Sequence, residues 1–128
     1  MINRVILAGR LTGNPEIRSL PSGMSVAVFS VVFNKSYKDR NGNWQEESWF
    51  FDVEVFGQLA ERLSKQFAKG YQVLIEGQLR QDKWEKDGEK RSKVKIVAER
   101  VVLVSKPANA AENATEEVIE ETIDDVPW

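Results

Sequence analysis

The chain has 128 residues, enough for one well-cored domain and too few for two. It contains neither cysteine nor histidine, which removes thiolate nucleophiles, thiolate or imidazole metal sites and imidazole general bases. The net charge of −2 conceals a segregation: residues 1–106 hold all 18 Lys and Arg against 13 acids, a net of +5, whereas seven acids and no base follow Lys106. A basic body suits a polyanionic partner and an acidic tail suits a protein partner. Since the remaining carboxylates, serines and lysines form no recognisable catalytic cluster, the expectation is a binding protein with no catalytic residue, metal or cofactor. Met1-Ile2-Asn3-Arg4 leads directly into β-type sequence, and no apolar run reaches the length of a membrane span. A soluble, cytoplasmic protein with no membrane partner is therefore expected.

In chain order, the first β-branched segment is Arg4–Leu11, followed by a connection broken at Asn14-Pro15 and again at Pro21-Ser22-Gly23. Ser25–Tyr37 and Ser48–Phe56 form the second and third strands, with Asn41-Gly42 between them as hairpin chemistry. Leu59, Leu63 and Phe67 then recur every four residues with Ala60 beside them, the pattern of one amphipathic helix, and Gly70 is placed to cap it. Tyr71–Trp84 and Lys93–Val104 are the fourth and fifth strands, joined across Asp87-Gly88. Five strands with one helix between the third and fourth is the order of a mostly β, five-stranded Greek-key OB-fold barrel, an architecture that binds oligonucleotides or oligosaccharides across its face. From Pro107 the composition shifts to Ala, Asn, Thr and Glu, which cannot bury enough apolar surface to fold. The expected division is a domain at 1–106 and a disordered acidic tail at 107–128.

The third strand carries two parities. Trp49, Phe51, Val53 and Val55 are wholly apolar and are expected to face the core. Phe50 and Phe56 then share the outer face with Asp52 and Glu54. Aromatics exposed on a sheet face suit stacking on unpaired bases, and equally suit a subunit interface. Trp84 lies among Arg80, Lys83, Lys86, Lys90, Arg91 and Lys93 around one hairpin, and Tyr37 beside Lys35, Lys38 and Arg40 at the other. Such hairpins could fold over a nucleic-acid strand, cations on phosphates and aromatics on bases, or could be solvated edges guarded by charge. Trp44 and Trp49 are weaker candidates, Trp44 as a cross-strand packing residue. The chain closes on Ile123-Asp124-Asp125-Val126-Pro127-Trp128, an acidic segment with an apolar tip able to anchor in a partner's basic groove.

The stretches Asn3-Arg4-Val5-Ile6-Leu7-Ala8-Gly9-Arg10-Leu11, Asn14-Pro15-Glu16-Ile17-Arg18, Phe56-Gly57-Gln58-Leu59-Ala60-Glu61 and Ile75-Glu76-Gly77-Gln78-Leu79-Arg80, followed by Trp84, resemble bacterial single-stranded DNA-binding proteins in order and spacing. The resemblance spans residues 2–104 and the last six. It implies a homotetramer of OB folds that binds and protects single-stranded DNA without sequence preference in replication, recombination and repair. It further implies base stacking by Tyr37, Phe50, Phe56 and Trp84, and phosphate contacts by Arg4, Arg18, Arg40, Lys69, Arg80 and Lys83. Asp124, Asp125, Val126, Pro127 and Trp128 would recruit replication and repair proteins.

The chain departs from that family at three places. Asp52 and Asp82 stand where a basic residue is frequent, and with Glu54 they are expected to repel a nearby phosphate. The linker before the tip is short, and the tip ends in Trp rather than Phe. Two other classes remain open on the residues alone. One is an assembly-type OB protein whose sheet meets other proteins. The other is a magnesium-assisted nuclease, which would need Asp52, Glu54 and Asp82 to converge.

Overall fold

The computed structural model describes residues 1–107 and the backbone of 118–120. Among them are β1 (Val5–Leu11), β2 (Glu16–Ser19), β3 (Ser25–Lys38), β4 (Trp44–Phe56), α1 (Gln58–Gln66), β5 (Gln72–Lys86), β6 (Glu89–Ser105) and β7 (Val118–Glu120). The strand order β1-β5-β6-β4-β3 closes on itself because β3 also pairs with β1, Arg10 opposite Val32 and Leu11 opposite Val31. Every pairing in this ring is antiparallel except β4 with β6, where Val53 and Glu54 lie beside Ile96 and Val97. This is the five-stranded barrel that the sequence leads one to expect, with α1 between the third and fourth barrel strands.

Leu11, Phe29, Val53, Ile75, Val101 and Leu103 fill the barrel, and α1 contributes Leu59, Ala60 and Leu63 to the same core. Each fully buried Val or Leu contributes roughly 1.5–3 kcal/mol by leaving water. Gly77 marks where β5 meets β6 most closely: a Cβ there would lie 2.0 Å from the Val97 carbonyl oxygen, beside a register shift between Glu76 and Gly77. Only a residue without a side chain fits.

Several boundaries differ from the sequence-based expectation. Strand β2 was not anticipated, because all four of its residues are exposed and show no alternation; it exists by edge pairing of Glu16–Ser19 with β3. Gly70 adopts φ +91° but lies past the helix, which ends at Gln66 with the Phe67 amide donating to the Leu63 carbonyl. Gly70 instead turns the chain into β5, its amide donating to the Leu11 carbonyl at 2.9 Å. The turn at Asn41-Gly42 is longer than a two-residue hairpin. Residues 39–43 form it, and the Asp39 carboxylate accepts from the amides of Asn41 and Asn43, both at 2.9 Å. At Asp87-Gly88 the two-residue turn holds, with φ of 54° and 78°.

The long strands account for a larger difference. In β3 and β4 only the barrel-proximal halves are buried, and the distal halves, through Lys38 and from Trp44 to Phe50, are exposed. The same is true of β5 and β6 beyond Asp82 and before Lys95. Two ribbons therefore project from the barrel. Trp49, placed in the core by parity, lies out on a ribbon and is 42% exposed. Alternation defines a face, but a face is buried only where something packs on it.

Of the tail, residues 118–120 pair antiparallel with Arg100, Val101 and Val102 of β6. The proposed tip, Asp124 to Trp128, lies outside the described residues. No helix among the described residues is long and apolar enough to cross a membrane.

Candidate nucleic-acid interface

Strand register places the candidate residues on faces without ambiguity. Phe50, Asp52, Glu54 and Phe56 lie opposite Val32, Ser30, Val28 and Val26 of β3 on the outer side of the barrel. Across β5 and β6, Arg80 faces Lys95, Asp82 faces Lys93 and Trp84 faces Arg91 on that same side. The two sets are joined by ion pairs, so three strands present one continuous outer surface.

On it, the Phe50 and Trp84 rings are 65% and 43% exposed. Phe56 is a correction: it occupies the outer face, yet it is only 6% exposed. Its ring packs with Val26 and Val97, flanked by Leu20, Met24 and Val28. The Arg80 guanidinium lies over the ring, its carbon 5.6 Å from the centroid. Parity therefore identified the face and missed the cover, which comes from the turn before β3 and from a neighbouring strand.

Tyr37 is exposed, but it pairs with Gln45 and so belongs to the reverse face of the β3–β4 ribbon. Trp49 shares that face; it contacts Phe33 with ring centroids 5.7 Å apart and lies 5.5 Å from the Lys35 ammonium. This cation-topped aromatic pair escaped the sequence reading, although Lys35 and Phe33, polar and apolar within one parity of β3, are the sign that the face leaves the core. Trp44 sits at the ribbon's end, 5.2 Å from the Lys38 ammonium opposite it.

The acids do not stand bare. Asp52 accepts from the Ser30 hydroxyl at 2.7 Å and pairs with Lys93. Glu54 takes the Arg80 Nη2 at 2.9 Å and also Lys95, and Asp82 takes the Arg80 Nε at 3.2 Å and also Lys95. Three carboxylates and three cations thus neutralise one another, and the repulsion expected of Asp52, Glu54 and Asp82 is met within the surface itself. The hydrogen bonds from Lys93 and Ser30 hold the Asp52 carboxyl below its ordinary range, and that from Lys95 does the same for Asp82. For Lys95 burial acts downward, but Asp82 and Glu54 together outweigh it and raise its pKa. Carboxylates bridged by lysine and arginine are not open to a metal, and among the described residues no group of three or more ligating side chains could hold one. The nuclease alternative loses its site.

The cation candidates separate in the same way. Arg4 is paired with Glu76 and Glu99, Arg18 with Glu16, and Arg80 with Glu54 and Asp82. Arg40, Lys69 and Lys83 are exposed and make no ion pair among the described residues. Lys83 faces Ser92, on the side of its ribbon opposite Trp84. It lines a groove of about 360 Å³ to which Gln81, Glu85, Lys90, Ser92, Trp84 and Arg91 also contribute. Lys69 stands elsewhere, in the loop after α1, its amide donating to the Asn14 side chain at 2.8 Å.

Known proteins share both the sequence and the fold. Residues 2–104 match the model of the single-strand binding protein family. The single-stranded DNA-binding protein of Aquifex aeolicus is 52% identical over 117 residues, covering 91% of this chain and 80% of that protein. The Treponema pallidum single-stranded DNA-binding protein is 40% identical over 113 residues, 88% of this chain and 64% of the relative. Among solved structures, a Plasmodium falciparum SSB in complex with ssDNA superposes with a TM-score of 0.69 at 26% identity, over 76% of this chain and 86% of that one. A deletion mutant of the Thermus aquaticus single-stranded DNA binding protein gives a TM-score of 0.69 at 31% identity, over 80% of this chain and 56% of that one. With the family model matched from end to end of the barrel and a relative identical at half its aligned positions, the chain belongs to the single-strand binding protein family.

Proposed function

We propose that this protein binds single-stranded DNA without sequence preference, along the outer surface shared by β4, β5 and β6. The observation that carries the reading is the exposure of Phe50 and Trp84 on one face, each on a ribbon that also bears exposed cations. Stacking needs only a π surface on each base, so such a face accepts any sequence, and the cations follow the phosphates. Tyr37 extends the contact around the β3–β4 ribbon, and Arg40 and Lys83 stand ready for phosphate. Lys69, Arg4 and Arg18 are further phosphate ligands in this reading, the last two after exchanging a carboxylate partner.

The chain functions in replication, recombination and repair as a homotetramer in this proposal. Exposed apolar side chains at Ile6, Ile17, Leu79 and Val94 supply surface for self-association. The acidic tip from Asp124 to Trp128 recruits partner enzymes through its apolar end and charge. A titration of intrinsic tryptophan fluorescence tests the central statement: quenching by oligothymidylate, and little by duplex of equal length, is expected. Equal response to both would remove the reading.

A further inference from the structure

The Phe56 ring lies on the proposed DNA face and is covered there, and the cover has a defined construction. Arg80 extends over the ring and is held by two carboxylates, Glu54 at 2.9 Å and Asp82 at 3.2 Å. Its side chain is 29% exposed, whereas Glu54 is 13% exposed and therefore a firm anchor. Lys95, 15% exposed and bonded to both carboxylates, fixes their positions from the other side. Both acids hold the guanidinium through Nε and Nη2, and in that position it covers the ring against a base.

We propose that Arg80 is a gate over a cryptic stacking site at Phe56: a backbone phosphate draws the guanidinium from Glu54 and Asp82, and the ring it leaves receives a base. The inference rests on the single-stranded DNA reading and refines it. Phosphate is a suitable competitor because, like a carboxylate, it offers two anionic oxygens to the guanidinium fork. Exchange of one anion for another keeps the arginine paired throughout, so opening costs far less than exposing a bare charge. Lys95 stays behind, bonded to both acids that Arg80 gives up, and offsets one of their two charges. The gate thus makes occupation of Phe56 conditional on a phosphate at Arg80, coupling a base contact to a backbone contact within one nucleotide's reach.

The test measures oligothymidylate affinity of the full chain by tryptophan fluorescence. Weakening the latch by Glu54→Gln, or by Asp82→Asn at the more exposed carboxylate, should tighten binding roughly two- to fivefold, the range that ion pairs of this exposure span. Plain removal of a negative charge would also tighten binding, so each substitution is repeated with Arg80→Gln and with Phe56→Leu. The gate requires the gain to disappear in both backgrounds. A gain that survives Arg80→Gln reduces the acids to ordinary repulsion, and one that survives Phe56→Leu reduces Arg80 to a phosphate ligand; either overturns the gate, as does no gain in the single variants. If the unsubstituted chain fails to bind oligothymidylate, the DNA reading itself falls and the gate with it.

Discussion

The three aromatic rings of the outer face are unequal, and their exposures separate what each replacement should do. Phe50→Ala and Trp84→Ala remove rings that touch water, so each should weaken binding to a homopolymeric single strand by ~1–3 kcal/mol and leave the unfolding midpoint almost unmoved. Phe56→Ala opens a cavity between Val26 and Val97, and should cost about 3–5 kcal/mol of stability as well as affinity. Paired measurement of thermal unfolding and DNA affinity on the three variants decides the matter. A destabilised Trp84→Ala protein with native affinity would show that the ring packs rather than stacks.

At the scale of elements, the barrel and its ribbons depend on two glycines in unequal degree. Gly88 serves the open β5–β6 turn, where a Cβ meets nothing, so Gly88→Ala suffers only from its φ of 78°, roughly 1–2 kcal/mol. Gly77→Ala drives a Cβ into the backbone of β6 and should exceed the ~1–3 kcal/mol typical of an overpacked core, displacing the pairing that closes the barrel. Denaturant unfolding of the two variants should therefore rank Gly77→Ala well below Gly88→Ala, and a reversed order would contradict the close approach. The ion network that joins β4, β5 and β6 makes a second prediction. Asp52 and Asp82 titrate below their ordinary value of 3.8, so their contribution is fully present above it and is lost as pH falls through the folded pKa. Lys95 titrates above 10.5, so its contribution is present below that value and is lost as pH rises beyond. The stability difference between the native chain and Asp82→Asn should be constant near neutrality and shrink as pH falls below 3.8. Persistence of the difference in strong acid would mean that Asp82 acts through packing rather than charge.

For the whole molecule, the opposition of a +5 body and a −7 tail governs behaviour. The tail carries no base and, as a polyanion, can compete with DNA for the cations of its own body, so truncation after Lys106 should leave affinity equal or higher, most at low salt. That truncation also removes β7 and uncovers the β6 edge at Arg100–Val102, so a small loss of stability should accompany it. Deletion of Trp128 alone should leave DNA affinity unchanged and abolish most pull-down of replication and repair proteins, because it removes the apolar anchor and keeps the charge. Weakened DNA binding with intact pull-down would reverse the roles assigned to body and tail.

Local signals in this chain determined the barrel strands, the helix, the Asp87-Gly88 turn and the charge division at Lys106, because period, turn chemistry and charge are written in neighbouring residues. The outer face of Phe50 was legible for the same reason, since parity along a strand is a local property, whereas Trp84 stood out only by its charged hairpin and joins that face through strand register. Other features depend on what lies across the sheet. Strand β2 exists through its partner, Trp49 is exposed because the barrel ends before it, and Phe56 is covered by residues from β3, β5 and β6. The three acids, which read as repulsive along the chain, are neutral in place because Arg80, Lys93 and Lys95 meet them from other strands. Burial and ion pairing are sums over neighbours distant in sequence, and only closure of the barrel brings those neighbours together.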